Sequence, residues 1–87
     1  KDAQVSDSFI ADGCEIEGKV ENSILFRGVK VGRGTVIKNS ILMQDTSVGS
    51  NCNIDHVITD KNVAIRDRNS LMGCEKVPYY LGKYATV

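Results

Sequence analysis

Apolar residues recur about every six positions through the middle of this chain, and small or polar residues separate them. Val31 is followed six residues later by Ile37, and Val48 is followed in the same way by Ile54. Glycine, asparagine and aspartate lie between them, and these residues supply turns in which φ is positive. No apolar stripe persists at the i, i+3, i+4, i+7 spacing of a helix. The pattern therefore predicts short strands joined by tight corners.

A seventeen-residue repeat underlies this pattern. Two successive copies are identical at seven positions, namely Asn22/Asn39, Ser23/Ser40, Ile24/Ile41, Leu25/Leu42, Val31/Val48, Gly32/Gly49 and Ile37/Ile54. A third and more diverged copy covers residues 56–72, and a shortened copy covers residues 7–21. Self-similarity at a short fixed period is typical of a solenoid. An ordinary β-sandwich built from hairpins would not repeat itself in this way.

Three six-residue segments close one triangular coil, and a period of seventeen rather than eighteen predicts that one corner is tighter. We therefore predict an all-β domain over residues 1–87, a single-stranded left-handed parallel β-helix of about four to five coils. Parallel crossovers are normally right-handed, so the left hand is taken from the hexapeptide-repeat class. We expect a short first coil at 7–21, three full coils at 22–72 and a C-terminal cap at 73–87.

Composition excludes several kinds of partner. The chain has 11 basic and 11 acidic residues and a net charge of zero, which gives no electrostatic reason to expect nucleic acid or a membrane surface. No apolar run approaches the roughly 20 residues needed to span a bilayer. The chain begins with Lys1 rather than Met, and we interpret it as a piece cut from a longer protein, whose N-terminal domain the first coil would contact.

The three cysteines are widely spaced and form no C-x-x-C pair, so neither a disulfide framework nor a zinc site is predicted. Cys14 and Cys52 fall at the small interior position of a coil, while Cys74 lies outside the repeat. We therefore expect reduced thiols and a cytoplasmic protein.

His56 is the one histidine, and it has two interpretations. Hexapeptide-repeat acyltransferases use a coil histidine as the general base towards an acyl-CoA-dependent acceptor, and His56 permits that chemistry. Against it, no loop extrudes from these coils to build an acceptor pocket, so a histidine at a surface corner is the alternative. A zinc site of three histidines is excluded.

For two further groups of side chains, the sequence allows two interpretations each. The first is a set of cations that would either line an anion site or lie on solvated faces: Arg27, Lys30, Arg33 and Lys38 in one coil, and Lys61, Arg66 and Arg68 in another. The second is the column of Phe26 and Met43, with Leu25 and Leu42 beside it. Some of these apolar side chains either face outward as a partner surface or fill the interior.

Three segments resemble the C-terminal domain of the bacterial ADP-glucose pyrophosphorylase (glucose-1-phosphate adenylyltransferase) family: residues 20–29 (VENSILFRGV), 36–44 (VIKNSILMQ) and 57–63 (VITDKNV). The resemblance covers nearly the whole chain. The ending, with Val77-Pro78-Tyr79 and Gly82-Lys83, is more similar to the regulatory-type glycogen-biosynthesis subunit of Gram-positive bacteria than to the catalytic one.

The resemblance implies a parent protein with an N-terminal nucleotidyltransferase domain that makes ADP-glucose from ATP and glucose 1-phosphate with Mg²⁺. That domain is not part of this sequence, so the resemblance assigns no catalytic, cofactor-binding or metal-binding residue here, and it leaves open whether the parent is an active enzyme. It implies that this domain contacts its own nucleotidyltransferase domain and neighbouring subunits of a tetramer, and takes part in allosteric control. Lys61 corresponds to a lysine of an effector-anion site in some members.

Overall fold

The computed structural model describes residues 3–87, and within that range the chain forms fourteen short strands and no helix. Each strand has only two or three residues. In chain order they are β1 Gln4–Ser6, β2 Phe9–Ile10, β3 Glu15–Ile16, β4 Lys19–Glu21, β5 Ile24–Leu25, β6 Lys30–Val31, β7 Val36–Lys38, β8 Ile41–Leu42, β9 Ser47–Val48, β10 Asn53–Asp55, β11 Val57–Thr59, β12 Ala64–Ile65, β13 Ser70–Met72 and β14 Tyr79–Leu81.

The strands form three parallel sheets, which are the three sides of a prism. Sheet A contains β1, β4, β7, β10 and β13, sheet B contains β2, β5, β8, β11 and β14, and sheet C contains β3, β6, β9 and β12. Each strand pairs in parallel with the strand one coil later. The chain is the predicted left-handed parallel β-helix, with between four and five turns.

The seventeen-residue repeat is the pairing register of the sheets. Ile24 lies opposite Ile41 and Val31 lies opposite Val48, each pair being seventeen residues apart. The first coil is shorter, since Phe9 lies opposite Ile24, fifteen residues on. Both offsets are those that the sequence alignment of the copies predicts.

The core consists of three apolar columns, one on the inner side of each sheet. Leu25, Val31, Ile37 and Leu42 are 0–2% exposed and follow one another at steps of six, six and five residues. The five-residue step crosses the corner between sheets A and B, which is the predicted tight corner. Because one coil stacks directly on the next, each core side chain also packs against its counterparts above and below.

Serine hydroxyls occupy the inner side of this tight corner and satisfy amides of the next coil. The Ser23 amide donates to Ser8 Oγ (3.0 Å), the Ser40 amide to Ser23 Oγ (3.1 Å) and the Val57 amide to Ser40 Oγ (3.1 Å). Among residues 3–87, no buried side-chain nitrogen or oxygen lacks a hydrogen-bond partner. The corner is therefore tight without leaving polar groups unpaired.

The outer side of the tight corner has a positive φ in four successive coils. Asp7, Asn22, Asn39 and His56 occupy it, with φ of 50°, 48°, 52° and 54°. Aspartate and asparagine tolerate this left-handed conformation better than most residues, as the sequence pattern predicted. His56 stands where the previous coils have asparagine, so it is a corner residue.

The C-terminal segment departs from its expected form. Val57 lies opposite Tyr79, twenty-two residues on, so residues 73–78 contain a five-residue insertion relative to the repeat. The insertion lies in the segment 73–87 that the sequence assigns to the C-terminal cap, outside the three full coils at 22–72. After the insertion, β14 rejoins sheet B, and Thr86 pairs with Ala64 beyond the edge of sheet C. The segment expected to be a separate cap thus adds a further partial coil.

Candidate functional surface on sheet B

A continuous column of large apolar side chains runs along the outside of sheet B. Pairing places one residue from each coil in this column, in the order Phe9, Ile24, Ile41, Ile58 and Tyr80. Phe9 is 64% exposed, Ile24 40% and Tyr80 61%, while the other two are half-buried. Exposed apolar residues are common singly, but a contiguous column of them marks an interaction site.

A second outer column widens this surface. Phe26 is 40% exposed and Met43 is half-buried, and both lie two residues beyond the isoleucines of their own coils. The sequence left open whether this group fills the interior. The structure divides it, because Leu25 and Leu42 are fully buried while Phe26 and Met43 face outward. We call the outer side of sheet B, formed by these two columns, the apolar face.

Asp60 occupies the position of the second column in the fourth coil. Its carboxylate contacts Tyr80, the last residue of the first column. The Tyr80 hydroxyl donates to Asp60 Oδ2 at 3.2 Å. This hydrogen bond, together with the negative charge of Asp60, raises the pKa of the Tyr80 phenol. The interaction fixes the ring of Tyr80 at the C-terminal end of the apolar face.

The tight corner forms one edge of the apolar face and carries a chain of polar contacts. Asn22 Nδ2 donates to Asn39 Oδ1 (2.7 Å), and Asn39 Nδ2 donates to Asp55 Oδ1 (3.1 Å). His56 Nδ1 lies 2.8 Å from the same carboxylate oxygen. A shallow groove runs between this corner and the isoleucines, and Glu75 of the insertion lines it too. His56 thus has a carboxylate partner and faces a groove, as a general base requires.

Lys61 lies at the opposite edge of the apolar face, so the structure does not bring it together with His56. Backbone hydrogen bonds stack this edge into a column that contains Asp12, Arg27, Gln44, Lys61 and Lys83. The Lys61 and Lys83 side chains are exposed, and Lys83 Nζ lies 5.5 Å from the centre of the Tyr84 ring. No carboxylate forms an ion pair with either lysine within residues 3–87.

The cations that share one coil in the sequence do not share a site. Arg27 is at the corner between sheets B and C, Lys30 is on the outside of sheet C, and Lys38 is on the outside of sheet A. A coil winds around the prism, so neighbours in sequence separate onto different sides. Cations of different coils can share a corner column instead, as Lys61 and Lys83 do.

The three cysteines differ in burial, and packing in the core explains the position of Cys52. Cys52 is 3% exposed, and its thiol donates to the Arg66 carbonyl at 3.1 Å. Cys14 is only half-buried, because it lies beside β3, the edge strand of sheet C within residues 3–87, and Cys74 is exposed. All three are free thiols. The described part of the chain contains no cluster of metal-ligating side chains and no helix long and apolar enough to cross a membrane.

These features define a hexapeptide-repeat β-helix in which one of the three sides carries an outward apolar column. The family model described as "GlmU-like, C-terminal hexapeptide" matches residues 1–77. The chain therefore belongs to that family of hexapeptide domains. No solved structure matches the chain.

The similar proteins include a glycogen biosynthesis protein and glucose-1-phosphate adenylyltransferases. The chain is 46% identical over 83 residues to the "Glycogen biosynthesis protein GlgD" of Bacillus subtilis (strain 168), which covers 95% of this chain and 24% of that protein. It is 46% identical over 48 residues to a glucose-1-phosphate adenylyltransferase of Clostridium perfringens (strain SM101 / Type A), covering 55% of the chain and 12% of that protein.

A glucose-1-phosphate adenylyltransferase of Bacillus thuringiensis (strain Al Hakam) is 38% identical over 65 residues, covering 75% of the chain and 17% of that protein. The chain thus spans a quarter or less of the length of these relatives. The family resemblance noted in the sequence is confirmed.

Proposed function

We propose that this chain is a non-catalytic oligomerisation and regulatory domain of a glucose-1-phosphate adenylyltransferase-type protein of glycogen biosynthesis. The observation that carries the proposal is the apolar face, a side of the β-helix that presents large apolar side chains from every coil. A surface of this kind is suited to bind protein rather than a small substrate. Similarity to adenylyltransferases and to a glycogen biosynthesis protein supports the biological setting.

In this proposal the chemistry belongs to another part of a longer protein. A nucleotidyltransferase domain would bind ATP, Mg²⁺ and glucose 1-phosphate and form ADP-glucose, while the β-helix would contact that domain and neighbouring subunits of a tetramer. The free thiols are in keeping with a place in the cytoplasm. Whether the longer protein is catalytic or a regulatory partner depends on residues outside this chain.

The first test is to determine the coding sequence upstream of Lys1. A nucleotidyltransferase domain with an intact glycine-rich loop and metal-binding aspartates would make the protein an active adenylyltransferase subunit. The same domain with those residues replaced would make it a regulatory partner. An unrelated domain, or a stop codon directly upstream, would contradict the proposal.

The regulatory part of the proposal assigns an effector anion to Lys61. This lysine is exposed, it lies one coil from Lys83 in the same corner column, and neither amine has an ion-pair partner in the described chain. Two adjacent cations repel each other, and a bound phosphate or carboxylate would relieve that repulsion. Lys61→Ala in the full-length protein should therefore weaken the response to effector, whereas Lys30→Ala on sheet C should not. An unchanged response would remove Lys61 from the site.

One observation favours a second candidate, an acyltransferase that uses acyl-CoA with His56 as general base. His56 Nδ1 lies 2.8 Å from Asp55 Oδ1, an arrangement in which a carboxylate orients a histidine. However, the same oxygen also accepts from Asn39, whose column is a structural ladder of amides. Titration with acetyl-CoA separates the two candidates. Binding that is lost in His56→Ala would favour the acyltransferase, and no binding would favour the oligomerisation domain.

A further inference from the structure

We propose that the groove beside the tight corner is a binding site for a neutral carbohydrate chain, an α-1,4-glucan that lies along the axis of the β-helix. The groove has a polar wall, formed by the tight corner, and an apolar wall, formed by the first column of sheet B. This site goes beyond the proposed function. Only the choice of an α-1,4-glucan over another neutral saccharide rests on it.

The polar wall has hydrogen-bonding groups that the contacts within the corner leave over. Asn22 donates one amide N–H to Asn39, and Asn39 donates one to Asp55. A side-chain amide has two N–H groups and an oxygen with two lone pairs. Within residues 3–87, Asn22 therefore keeps one N–H and its oxygen for a ligand, and Asn39 keeps one N–H and one lone pair. Because the corner already orients both amides, binding a ligand costs less entropy.

His56 continues the polar wall in the next coil. Its Nδ1 lies 2.8 Å from Asp55 Oδ1, so the carboxylate orients the ring and leaves Nε2 as the second hydrogen-bonding atom. Asn22, Asn39 and His56 thus follow one another along the groove, one in each coil and about 4.8 Å apart. A regular row of donors and acceptors suits a ligand whose own hydroxyl groups recur at regular intervals.

The apolar wall supplies the complementary half of a carbohydrate site. Phe9, Ile24 and Ile41 line it, one in each of the first three coils, and Phe9 is 64% exposed. A sugar ring has a face of C–H groups and an edge of hydroxyl groups. A ring in the groove would set its C–H face on these side chains, Phe9 above all, and its hydroxyls towards the amides.

The charges of the lining favour a neutral ligand. Asp7 and Glu75 line the groove, whereas no lysine or arginine of the described chain does. Carboxylates repel the phosphates of nucleotides and sugar phosphates, but they accept strong hydrogen bonds from hydroxyl groups. Asp7 lies in the first coil and Glu75 in the insertion after β13, with uncharged residues between them. A basic peptide would therefore meet a carboxylate only at the two ends.

The dimensions of the groove suit a short chain of sugars. Its volume is about 740 Å³, within the range of about 300–1,000 Å³ that is usual for ligand sites. Phe9 and His56 lie three coils apart, about 14 Å at the strand spacing of a β-sheet. We therefore expect affinity to rise with chain length from maltose to maltopentaose.

Titration of the isotope-labelled 87-residue chain with maltopentaose, followed by NMR, tests the site directly. The side-chain amide signals of Asn22 and Asn39 should shift, whereas the backbone signals of sheet C should not. Maltose should shift the same signals with a higher Kd. Unchanged signals at tens of millimolar maltopentaose would overturn the inference.

Paired variants separate the groove from the rest of the surface, with folding checked by circular dichroism. Asn39→Gly removes an amide while glycine tolerates the φ of 52°, and it should raise the Kd about fivefold. Asn51→Gly is its control, because Asn51 has a φ of 57° at the corner between sheets C and A. Phe9→Ala should also weaken binding, whereas Phe26→Ala, in the second column of the apolar face, should not. Equal effects within either pair would contradict the proposed site.

Two other ligands test the chemical class. Cellopentaose has the same hydroxyl groups on β-1,4-linked rings, and equal affinity for it would overturn the assignment to an α-1,4-glucan. Pentalysine that shifts the groove signals where maltopentaose does not would assign the groove to a basic peptide. None of these results decides the proposed function, which depends on the upstream coding sequence. Conversely, maltopentaose binding by a chain with an unrelated upstream domain would retain the site and refute the proposed function.

Discussion

Leu42 and Ile41 are neighbours in sequence with side chains of equal size. The structure predicts that shortening Leu42 to alanine lowers the free energy of unfolding much more than shortening Ile41. Leu42 is 0% exposed and packs in the core column of sheet B, whereas Ile41 is half-buried on the apolar face. Leu42→Ala removes three buried carbon atoms and leaves a cavity. The coils above and below, which are held in register by backbone hydrogen bonds, cannot collapse into it fully.

The expected loss for Leu42→Ala is about 3 kcal/mol, in the middle of the range for such truncations. A chain of this length has a total stability of roughly 4–13 kcal/mol, so the variant would lose a large part of it. For a domain of this size, 3 kcal/mol corresponds to a fall in Tm of about 12–24 °C. Ile41→Ala should cost under about 1 kcal/mol, because its side chain keeps contact with water in the folded chain.

Urea unfolding followed by circular dichroism measures both values, at a concentration low enough that association does not contribute. Val36→Ala, on the outside of sheet A, is the control for loss of an outward branched residue. Equal losses for Leu42→Ala and Ile41→Ala would refute the assignment of inside and outside on sheet B. That result would also refute the argument that the isoleucine column is available to a partner.

Three further predictions follow from single contacts. Ser40→Ala should cost about 1–3 kcal/mol in urea unfolding, because it leaves a buried amide of the next coil unpaired; an unchanged midpoint would mean that water replaces the hydroxyl. Asp60→Asn should lower the pKa of Tyr80, followed by phenolate absorbance. Because folding raises that pKa, the stabilisation is present below the ordinary tyrosine value of about 10 and is lost as the pH rises through the folded value. Gly32→Ala should destabilise by about 1–3 kcal/mol, since its Cβ would lie 2.6 Å from backbone atoms of the next coil, whereas Gly82→Ala, with open space around it, should be neutral.

The fold was predictable because each repeated residue reports two structural features, the backbone conformation of its corner and its pairing partner in the next coil. A coil must return to the same place after seventeen residues, so the identity of Asn22 with Asn39 reports both the corner conformation and the pairing register. The shortened first copy, the tight corner and the buried Cys52 follow from the same constraint. Local sequence determines long-range contacts here because every long-range contact is made to the next copy.

The insertion and the apolar face were harder to predict from the sequence. Residues 73–78 interrupt the period, and the sequence alone gave no sign that Tyr79 resumes the pairing of Val57. In the two NSIL segments, either the isoleucine or the leucine that follows it could fill the interior. The signal was the six-residue step from Leu25 to Val31, which places the leucine in phase with the core and its neighbouring isoleucine outside.

The same geometry explains why function should reside on one side of this prism. The interior is filled by side chains, so chemistry is confined to the corners and the three outer sides. Sheet A presents Glu21, Lys38 and Asp55 in one cross-strand column, which alternates in charge and has little net attraction for a partner. Sheet C presents Glu15, Lys30, Ser47 and Ala64 in one column, which contains no large apolar side chain. Sheet B has a large apolar residue on its outer side in every coil, and Phe9, Ile24 and Tyr80 among them are exposed. An apolar column that continues in register through five coils makes the outer side of sheet B the side of the prism best suited to contact another protein surface.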